Sequence, residues 1–248
     1  MSGHNRWTKI KRKKAVQGAA KGKLFTKLIK EITVAARAGG GDQAGNARLR
    51  SAIDAAKEAN MPAENITRAI KKGTGELAGV SYEEALYEGY GPGGVAVIVE
   101  CLTDNRNRTA GDVRSSFTRG GRNLAAEGAV SWSFERRGVV EVKPGPTEDE
   151  VMEASIEAGA EDVVSQGEEG FEVRTHPNDM PAVRAALEKR FRIGASRVTF
   201  VPKDTVKIHD ADRARSLLKL VDLLEDLDDV QNVHANYEID DEILERME

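Results

Sequence analysis

One stretch of the sequence decides the fold: residues 139–150, which read VVEVKPGPTEDE. The valine-rich start favours a buried strand. Thr147 and Glu150 then stand at the spacing of a capping box, a signal that starts a helix. Beyond this point the pattern predicts a helix at 148–158, strands near 163 and at 171–175, a helix at 179–190 and a strand at 197–201. The order of these elements is βαββαβ, which is typical of a ferredoxin-like domain.

The segments on either side of this unit predict a second α/β domain. Before it come a strand at 95–102, a helix at 109–117 and a strand at 129–134, and after it a strand at 206–208, a helix at 211–227 and a strand at 233–239. If residues 138–203 are excised, the two flanking halves join into another ferredoxin-like unit. We therefore expect an inserted ferredoxin-like α/β domain at 138–203 inside an α/β domain made of 80–137 and 204–248. A single larger mixed sheet is the alternative.

The start of the chain has helical rather than strand periodicity. Apolar residues recur at spacings of three and four in 22–37, 46–59 and 62–72. Pro62 suits a helix start, and Gly73 stands where a C-cap is expected. We expect a basic helical domain at 1–79 with a flexible N-terminal arm. The predicted fold class is therefore α+β, an N-terminal three-helix domain followed by two ferredoxin-like α/β domains, one inserted in the other.

Charge is divided unevenly between these parts. The 248 residues have a formal net charge of −4, yet residues 1–75 contain 17 Lys and Arg against 5 Asp and Glu, a net of +12. Residues 76–248 therefore carry a net of −16. A basic module attracts polyanions, and the acidic remainder repels them, so we expect nucleic acid to bind the first third. A merely solubilising role for the basic surface is the alternative.

The candidate nucleic-acid contacts are basic side chains, which neutralise phosphates, together with one tryptophan. Trp7 either stacks on an unpaired base or anchors the arm on the protein itself. The arm supplies Arg6, Trp7, Lys9, Lys11, Arg12, Lys13 and Lys14, and the helices supply Lys23, Lys27, Lys30, Arg48, Arg50, Arg68, Lys71 and Lys72. Secondary candidates are Arg106 and Arg108, on a strand-to-helix junction where Asp104 and Asn105 also suit a plain turn and N-cap.

No motif indicates catalysis. Residues 89–94 match a dinucleotide fingerprint by letter, but they precede a strand, whereas the fingerprint follows one. The four histidines are scattered, so neither a metal site nor a catalytic triad is visible. The carboxylate runs at 222–229 and 238–248 are typical of solvated faces and tails. We expect no enzyme activity, no cofactor and no metal.

The composition also bears on where the protein resides. No apolar run approaches the roughly 20 residues that a membrane-spanning helix needs, and no apolar run follows the charged N-terminus as in a secretory signal. The single cysteine, Cys101, cannot form an intramolecular disulfide, which fits a reducing compartment. We expect a cytoplasmic protein without a membrane partner.

Several strings in the sequence together resemble one known family. They are the opening Met1-Ser2-Gly3-His4 with Trp7, the segment 60–70 with Asn60-Met61-Pro62, the segment 87–94 reading YEGYGPGG, the segment 102–109 and Gly128 to Phe134. They are similar to the YebC/PmpR family over essentially the whole chain. The sequence departs from the family pattern at Arg122 and Ala125, where glycine is usual, and at Arg12, where histidine is common.

The resemblance implies a cytoplasmic, non-enzymatic protein of three domains that acts as a DNA-binding transcriptional regulator. Mitochondrial relatives in this family are described as translational activators, so the alternative is a ribosome-associated translation factor that binds ribosomal RNA. The expected partners are therefore DNA, or ribosomal RNA within the ribosome, with a protein partner for the α/β domains as a further expectation. A basic arm with an aromatic suits ribosomal RNA, whereas a helical basic domain suits duplex DNA.

Overall fold

The computed structural model describes residues 19–240 and 242–244. Three helices come first: α1 (Ala19–Gly39), α2 (Ala47–Glu58) and α3 (Ala63–Thr74). They enclose a core of buried Ile32, Leu49, Ile53, Ile66 and small alanines. The predicted three-helix unit is confirmed, although the predicted arm at residues 1–18 lies outside the described residues.

The helices are joined by local capping interactions that the sequence supplies. Asn46 caps α2, since its Oδ1 accepts the backbone N–H of Leu49 at 3.0 Å. Its Nδ2 donates to the carbonyl oxygen of Ala35 at 2.8 Å, which ties the start of α2 to α1. The predicted C-cap at Gly73 is wrong. Gly73 is buried inside α3, where a Cβ would lie 2.4 Å from the carbonyl oxygen of Thr33, and Gly75 ends the helix with φ +85°.

A three-stranded antiparallel sheet follows, in the order β1-β2-β8. Its strands are β1 (Glu83–Tyr90), β2 (Ala96–Thr103) and β8 (Val230–Ala235). One face packs against α4 (Arg106–Arg119) and α7 (Ala211–Glu225), with Phe117, Leu217, Leu220 and Leu224 fully buried. A short parallel pair, β7 (Val206–Ile208) with β9 (Tyr237–Ile239), lies beside this core.

The intervening segment forms its own four-stranded antiparallel sheet in the order β4-β5-β3-β6. Its strands are β3 (Phe134–Val142), β4 (Asp162–Ser165), β5 (Phe171–Thr175) and β6 (Ile193–Pro202), and its helices are α5 (Glu148–Glu157) and α6 (Met180–Leu187). This is the predicted βαββαβ unit with ferredoxin-like strand order. The capping box is present, since Thr147 and Glu150 each bond the other's backbone N–H.

The mixed α+β class is confirmed, with helices first and separate sheets after them rather than one large sheet. Three details of the predicted strands are wrong. Residues 129–133 are a loop with a 3₁₀ turn at Ser131–Ser133, not a strand, and β1 was not predicted. The predicted strand at 233–239 is two strands, β8 and β9, because Asn236 interrupts it by binding the backbone N–H of Ala96.

The predicted domain limits remain a proposal, with one adjustment. Residue 138 falls inside β3, which runs from Phe134 to Val142 and pairs with β6 from end to end, with one irregularity between Val140 and Val142. We therefore propose that the inserted unit begins at residue 134 rather than 138. Phe134 and Phe200 of this unit pack on Ala96 and Ile98 of β2, so the two sheets share a small apolar cluster.

Candidate nucleic-acid interface

The lysine stripe of α1 is occupied by the protein itself. Lys27 Nζ donates to the carbonyl oxygen of Glu225 at 2.6 Å, and Lys23 Nζ donates to that of Asp226 at 3.1 Å. These carbonyls belong to the C-terminal end of α7, where the helix dipole is negative and carbonyl groups lack helical partners. Lys30 is buried and Lys27 is half-buried at this contact, whereas Lys23 stays exposed. These contacts argue against a free phosphate-binding face formed by Lys23, Lys27 and Lys30, which stays a prediction.

Lys30 enters a buried polar cluster around Asp229, which we call the Asp229 cluster: Lys30, Thr103, Arg108, Thr109 and Asp229. Lys30 and Asp229 are 6% and 7% exposed, and their ammonium and carboxylate groups lie 2.6 Å apart. The second carboxylate oxygen accepts from Arg108 Nη2 at 2.6 Å and from Thr109 Oγ1 at 2.7 Å. The cluster thus joins α1 to the start of α4 and the turn after α7.

The ionisation of Asp229 follows from these partners. Burial raises the pKa of the carboxyl group, but the hydrogen bonds from Arg108, Lys30 and Thr109 outweigh it and lower the pKa to about 2. Lys30 Nζ also donates to the carbonyl oxygen of Asp228 at 3.0 Å. The charges in the cluster are therefore paired and hydrogen-bonded, which buried charges require.

The secondary candidates Arg106 and Arg108 are also engaged. Arg108 bridges Asp104 and Asp229, and Arg106 pairs with Glu83 at 3.1 Å and donates to the carbonyl oxygen of Glu84. Asn105 caps α4 by accepting the backbone N–H of Arg108. The segment 102–109 thus serves as a cap and an interdomain contact. A role for its arginines in binding phosphate stays a prediction.

The arginines of α2 and α3 are held by acceptors of the protein as well. Arg48 bridges Glu31 of α1 and Glu84 of β1, at 2.7 and 2.6 Å. Arg50 donates to the carbonyl oxygens of Gln43 and Ala44, and Arg68 pairs with Glu64 one turn earlier. Arg48 and Arg68 lie on exposed faces as predicted, although both are paired with carboxylates. The role of the three arginines in binding nucleic acid stays a prediction.

Lys71 and Lys72 differ from all the cations above. They lie in the last turn of α3, with Lys71 exposed and Lys72 half-buried. Within residues 19–240 and 242–244, neither ammonium group has an ion pair or hydrogen bond. The arm candidates, Arg6, Trp7, Lys9, Lys11, Arg12, Lys13 and Lys14, lie outside the described residues.

A further contact between the helical unit and the α/β part, between α2 and α6, is looser. Arg184 of α6 pairs with Asp54 of α2 at 3.1 Å. Beside this pair is a cavity of about 330 Å³, lined by residues of α2 and α6 that include Arg50, Ser51 and Met180. Arg184 Nε is buried without a hydrogen-bond partner among the described residues. This contact has one ion pair where the Asp229 cluster has a network.

A buried glutamate organises the loop after α4. Glu88 of β1 is 3% exposed, and its carboxylate accepts the backbone N–H groups of Gly128, Val130 and Ser131 at 2.9, 2.6 and 2.9 Å. Burial raises the pKa of Glu88, but these hydrogen bonds outweigh it, and the pKa is lowered. Glu88 therefore holds the loop as a charged acceptor.

Sequence reasoning missed both buried carboxylates. Asp229 stands in an acidic run that is typical of a solvated face, and Glu88 lies between glycine and tyrosine residues that read as a turn. For Glu88 a signal exists, since Ala85, Tyr87 and Gly89 alternate with it in strand fashion.

No group of three His, Cys, Asp or Glu side chains able to hold a metal occurs in the described part of the chain. Among the same residues, no helix is long and apolar enough to span a bilayer.

Comparison with known proteins identifies relatives over the whole chain. Residues 5–76 match the model of the TACO1/YebC protein N-terminal domain, and residues 82–237 match that of the TACO1/YebC second and third domain. A protein of Myxococcus xanthus named "Probable transcriptional regulatory protein" is 60% identical over 248 residues, which is 100% of this chain and 99% of that protein. A protein of Desulfotalea psychrophila with the same descriptive name is 56% identical over 249 residues, again 100% of this chain and 99% of that one.

A solved structure supports the same fold. The crystal structure of a conserved hypothetical protein from Aquifex aeolicus is 53% identical in sequence and superposes with a TM-score of 0.84, covering 91% of this chain and 93% of that one.

Proposed function

Because the chain belongs to the TACO1/YebC family, we propose that it is a nucleic-acid-binding regulator of gene expression, acting on DNA as a transcriptional regulator. The relatives from Myxococcus and Desulfotalea, which it matches end to end, carry the name of transcriptional regulators. The division of charge agrees with such a role, since the first third has a net of +12 and the remainder a net of −16.

One observation supports the proposal and also changes which residues we propose as the binding surface. Lys30, Arg48 and Arg68 are paired with carboxylates, and Lys23, Lys27 and Arg50 donate to backbone carbonyl oxygens. Within the described residues, no ion pair or hydrogen bond engages the ammonium groups of Lys71 and Lys72. The arm adds six further cations between residues 6 and 14. We therefore propose that phosphates bind the arm together with the C-terminal turn of α3, and that Lys23, Lys27 and Lys30 hold the domains together instead.

We propose binding rather than catalysis as the activity. The acidic groups with the most specific hydrogen bonding, Asp229 and Glu88, use their oxygens to hold backbone and side-chain donors of the protein. Neither is left as an acid or base for a substrate. A cytoplasmic location, beside the nucleic acid, belongs to the same proposal.

Charge reversal at the end of α3 tests the surface. Lys71→Glu with Lys72→Glu should weaken binding to a DNA duplex and make log affinity fall less steeply with log salt, by roughly one for each phosphate that is no longer neutralised. The control is Lys189→Glu with Lys219→Glu, the same change in net charge at two exposed lysines of other elements. Equal losses of affinity in both variants would show a general charge effect and contradict the assignment of this surface.

Ultraviolet crosslinking in cells, followed by sequencing of the attached nucleic acid, tests the kind of target. Discrete chromosomal sites are the expected result. Reads concentrated in ribosomal RNA would overturn the DNA assignment and make translation the process in which the protein acts. A variant lacking residues 1–75 serves as the background control.

A further inference from the structure

Two aromatic side chains are exposed in the α/β part of the protein. Trp132, in the 3₁₀ turn before β3, exposes 68% of its surface, and Tyr90, at the end of β1, exposes 41%. Aromatic residues make up only 5% of the chain, and large apolar surface left in water has a cost in free energy. Two such rings that share one neighbour are therefore a candidate binding feature.

One carbonyl oxygen accepts a hydrogen bond from the polar group of each ring. Trp132 Nε1 donates to the carbonyl oxygen of Ala129 at 2.9 Å, and the Tyr90 hydroxyl donates to the same oxygen at 2.9 Å. The shared acceptor holds the two side chains close together. What they offer to solvent is therefore the π surface of each ring rather than a hydrogen-bonding group, which suits stacking that does not depend on base identity.

The loop that bears these rings is fixed in place. Glu88 accepts three backbone N–H groups from Gly128, Val130 and Ser131, and Val130 is fully buried. Gly128 has φ +85°, a conformation that glycine adopts without strain. Trp132 is thus presented on a rigid support, which lowers the entropy lost on binding.

Cations that are free within the described residues lie on neighbouring segments. The backbone N–H of Lys203 donates to the carbonyl oxygen of Ser133, which places Lys203 beside Trp132, and its side chain is exposed. Arg122 lines a groove of about 660 Å³ with Gly93 and Gly94, and Asp210, Asp212 and Arg213 line the same groove. Glu127 is an exposed carboxylate on the loop that bears Trp132. The local charge is therefore mixed, and base stacking rather than charge supports the choice of ligand.

We propose that Tyr90 and Trp132 form a stacking site for unpaired bases, so that the ligand of this face is single-stranded nucleic acid, with Lys203 and Arg122 near its phosphates. The inference rests on the proposed function and narrows it, because base pairs in an intact duplex present no free face to stack on. A nucleic acid engaged by this protein would then have a single-stranded segment next to the part bound by the basic third.

The chain contains two tryptophans, so Trp7→Phe leaves Trp132 as the only one and makes its fluorescence a direct reporter. Titration of this variant with a single-stranded RNA or DNA oligonucleotide of one mixed sequence should quench the emission of Trp132. The matching duplex, at equal occupancy measured by anisotropy, should leave it nearly unchanged. Quenching by the duplex to the same extent would overturn the proposal.

Affinity gives a second, independent readout. Trp132→Ala should weaken single-strand binding roughly 5- to 100-fold, by the same factor at every salt concentration, because no charge is removed. Trp132→Phe should retain most of the affinity. The matched control is Ile156→Ala on α5, where a side chain of equal exposure is removed from another surface. Each variant is first checked by its circular dichroism spectrum and melting temperature.

The outcomes separate this proposal from the one above. Single-strand binding that stays intact in Trp132→Ala, without quenching of Trp132, would overturn the stacking site and leave the regulator proposal standing. No binding of any nucleic acid would overturn both. A blue shift of Trp132 emission with protein concentration alone would mean that a second copy covers this face, and would also overturn the proposal.

Discussion

Two of the contacts between the helical unit and the rest of the protein differ in kind. At the Asp229 cluster, one carboxylate accepts from Lys30, Arg108 and Thr109, and both Lys30 and Asp229 are almost fully buried. Between α2 and α6, a single ion pair between Asp54 and Arg184 lies next to a cavity of about 330 Å³. The first contact fixes the position of α1, whereas the second leaves room for movement.

Basic side chains within the helical unit therefore have different roles. A lysine stripe on a helix reads as a nucleic-acid surface when its partner is unknown, but the same stripe also fits the negative C-terminal end of another helix. In α1 the second use prevails, because the carbonyl oxygens of Glu225, Asp226 and Asp228 lie opposite the lysines.

Asp229→Ala should cause the largest loss of stability. It leaves the buried ammonium of Lys30 without its counter-ion and removes the main acceptor of Arg108 and Thr109, and breaking a buried pair in this way costs about 3–5 kcal/mol. The measurement is urea-induced unfolding of the full chain, followed by circular dichroism. Asp226→Ala is the control, since the Asp226 side chain is 67% exposed and should contribute under about 1 kcal/mol. Equal effects from the two variants would contradict the role given to burial.

Lys30→Met should cost less, about 2 kcal/mol. The change removes one charge and the donor to Asp229 Oδ1, but Arg108 and Thr109 continue to bind Asp229 Oδ2, and the methionine preserves much of the packing. Lys23→Met, on the same stripe but half exposed, should change the free energy of unfolding by less than about 0.5 kcal/mol. A loss of stability in Lys30→Met as large as in Asp229→Ala would mean that Lys30, rather than the carboxylate, is the centre of the cluster.

Acid should weaken the same cluster within a defined range of pH. The folded pKa of Asp229, about 2, lies below its ordinary value of 3.8. The stabilisation from the ionised carboxylate is therefore fully present above pH 4 and is lost as the pH falls toward 2, by about 2 kcal/mol. Unfolding free energies measured across this range should fall more steeply in the native protein than in Asp229→Asn. Parallel curves would show that the pKa of Asp229 is not lowered in the folded state.

Much of the fold was predictable because its signals are local. The capping box at Thr147 and the alternation of βαββαβ elements identified the inserted unit, and apolar periodicity identified three helices. The strand predicted at residues 129–134 was wrong because of a contact with a residue distant in sequence. Their alternation resembles a strand, yet Glu88 binds the backbone N–H groups of Val130 and Ser131 and holds the segment as a loop.

The sequence predicted that the first third of the chain is basic, but not which of its cations are bound by other parts of the protein. Lys30 and Asp229 are separated by 199 residues, and no local pattern links them. The acidic run at 222–229 was expected to be solvated, yet its last member is buried against the basic helix. A net charge locates an attractive region, whereas knowing which cations remain free requires the tertiary contacts.

The smallest effect is expected at the second contact. Arg184→Met should change the free energy of unfolding by at most about 1 kcal/mol, since the side chain of its partner Asp54 is 42% exposed. The methionine also removes a buried Nε that lacks a hydrogen-bond partner among the described residues. Hydrogen exchange should show the effect locally, as faster exchange in α2 and α6 with no change around residues 225–229. Faster exchange at both contacts would mean that they open together. The helical unit would then move as one rigid part, and the second contact would not open separately from the Asp229 cluster.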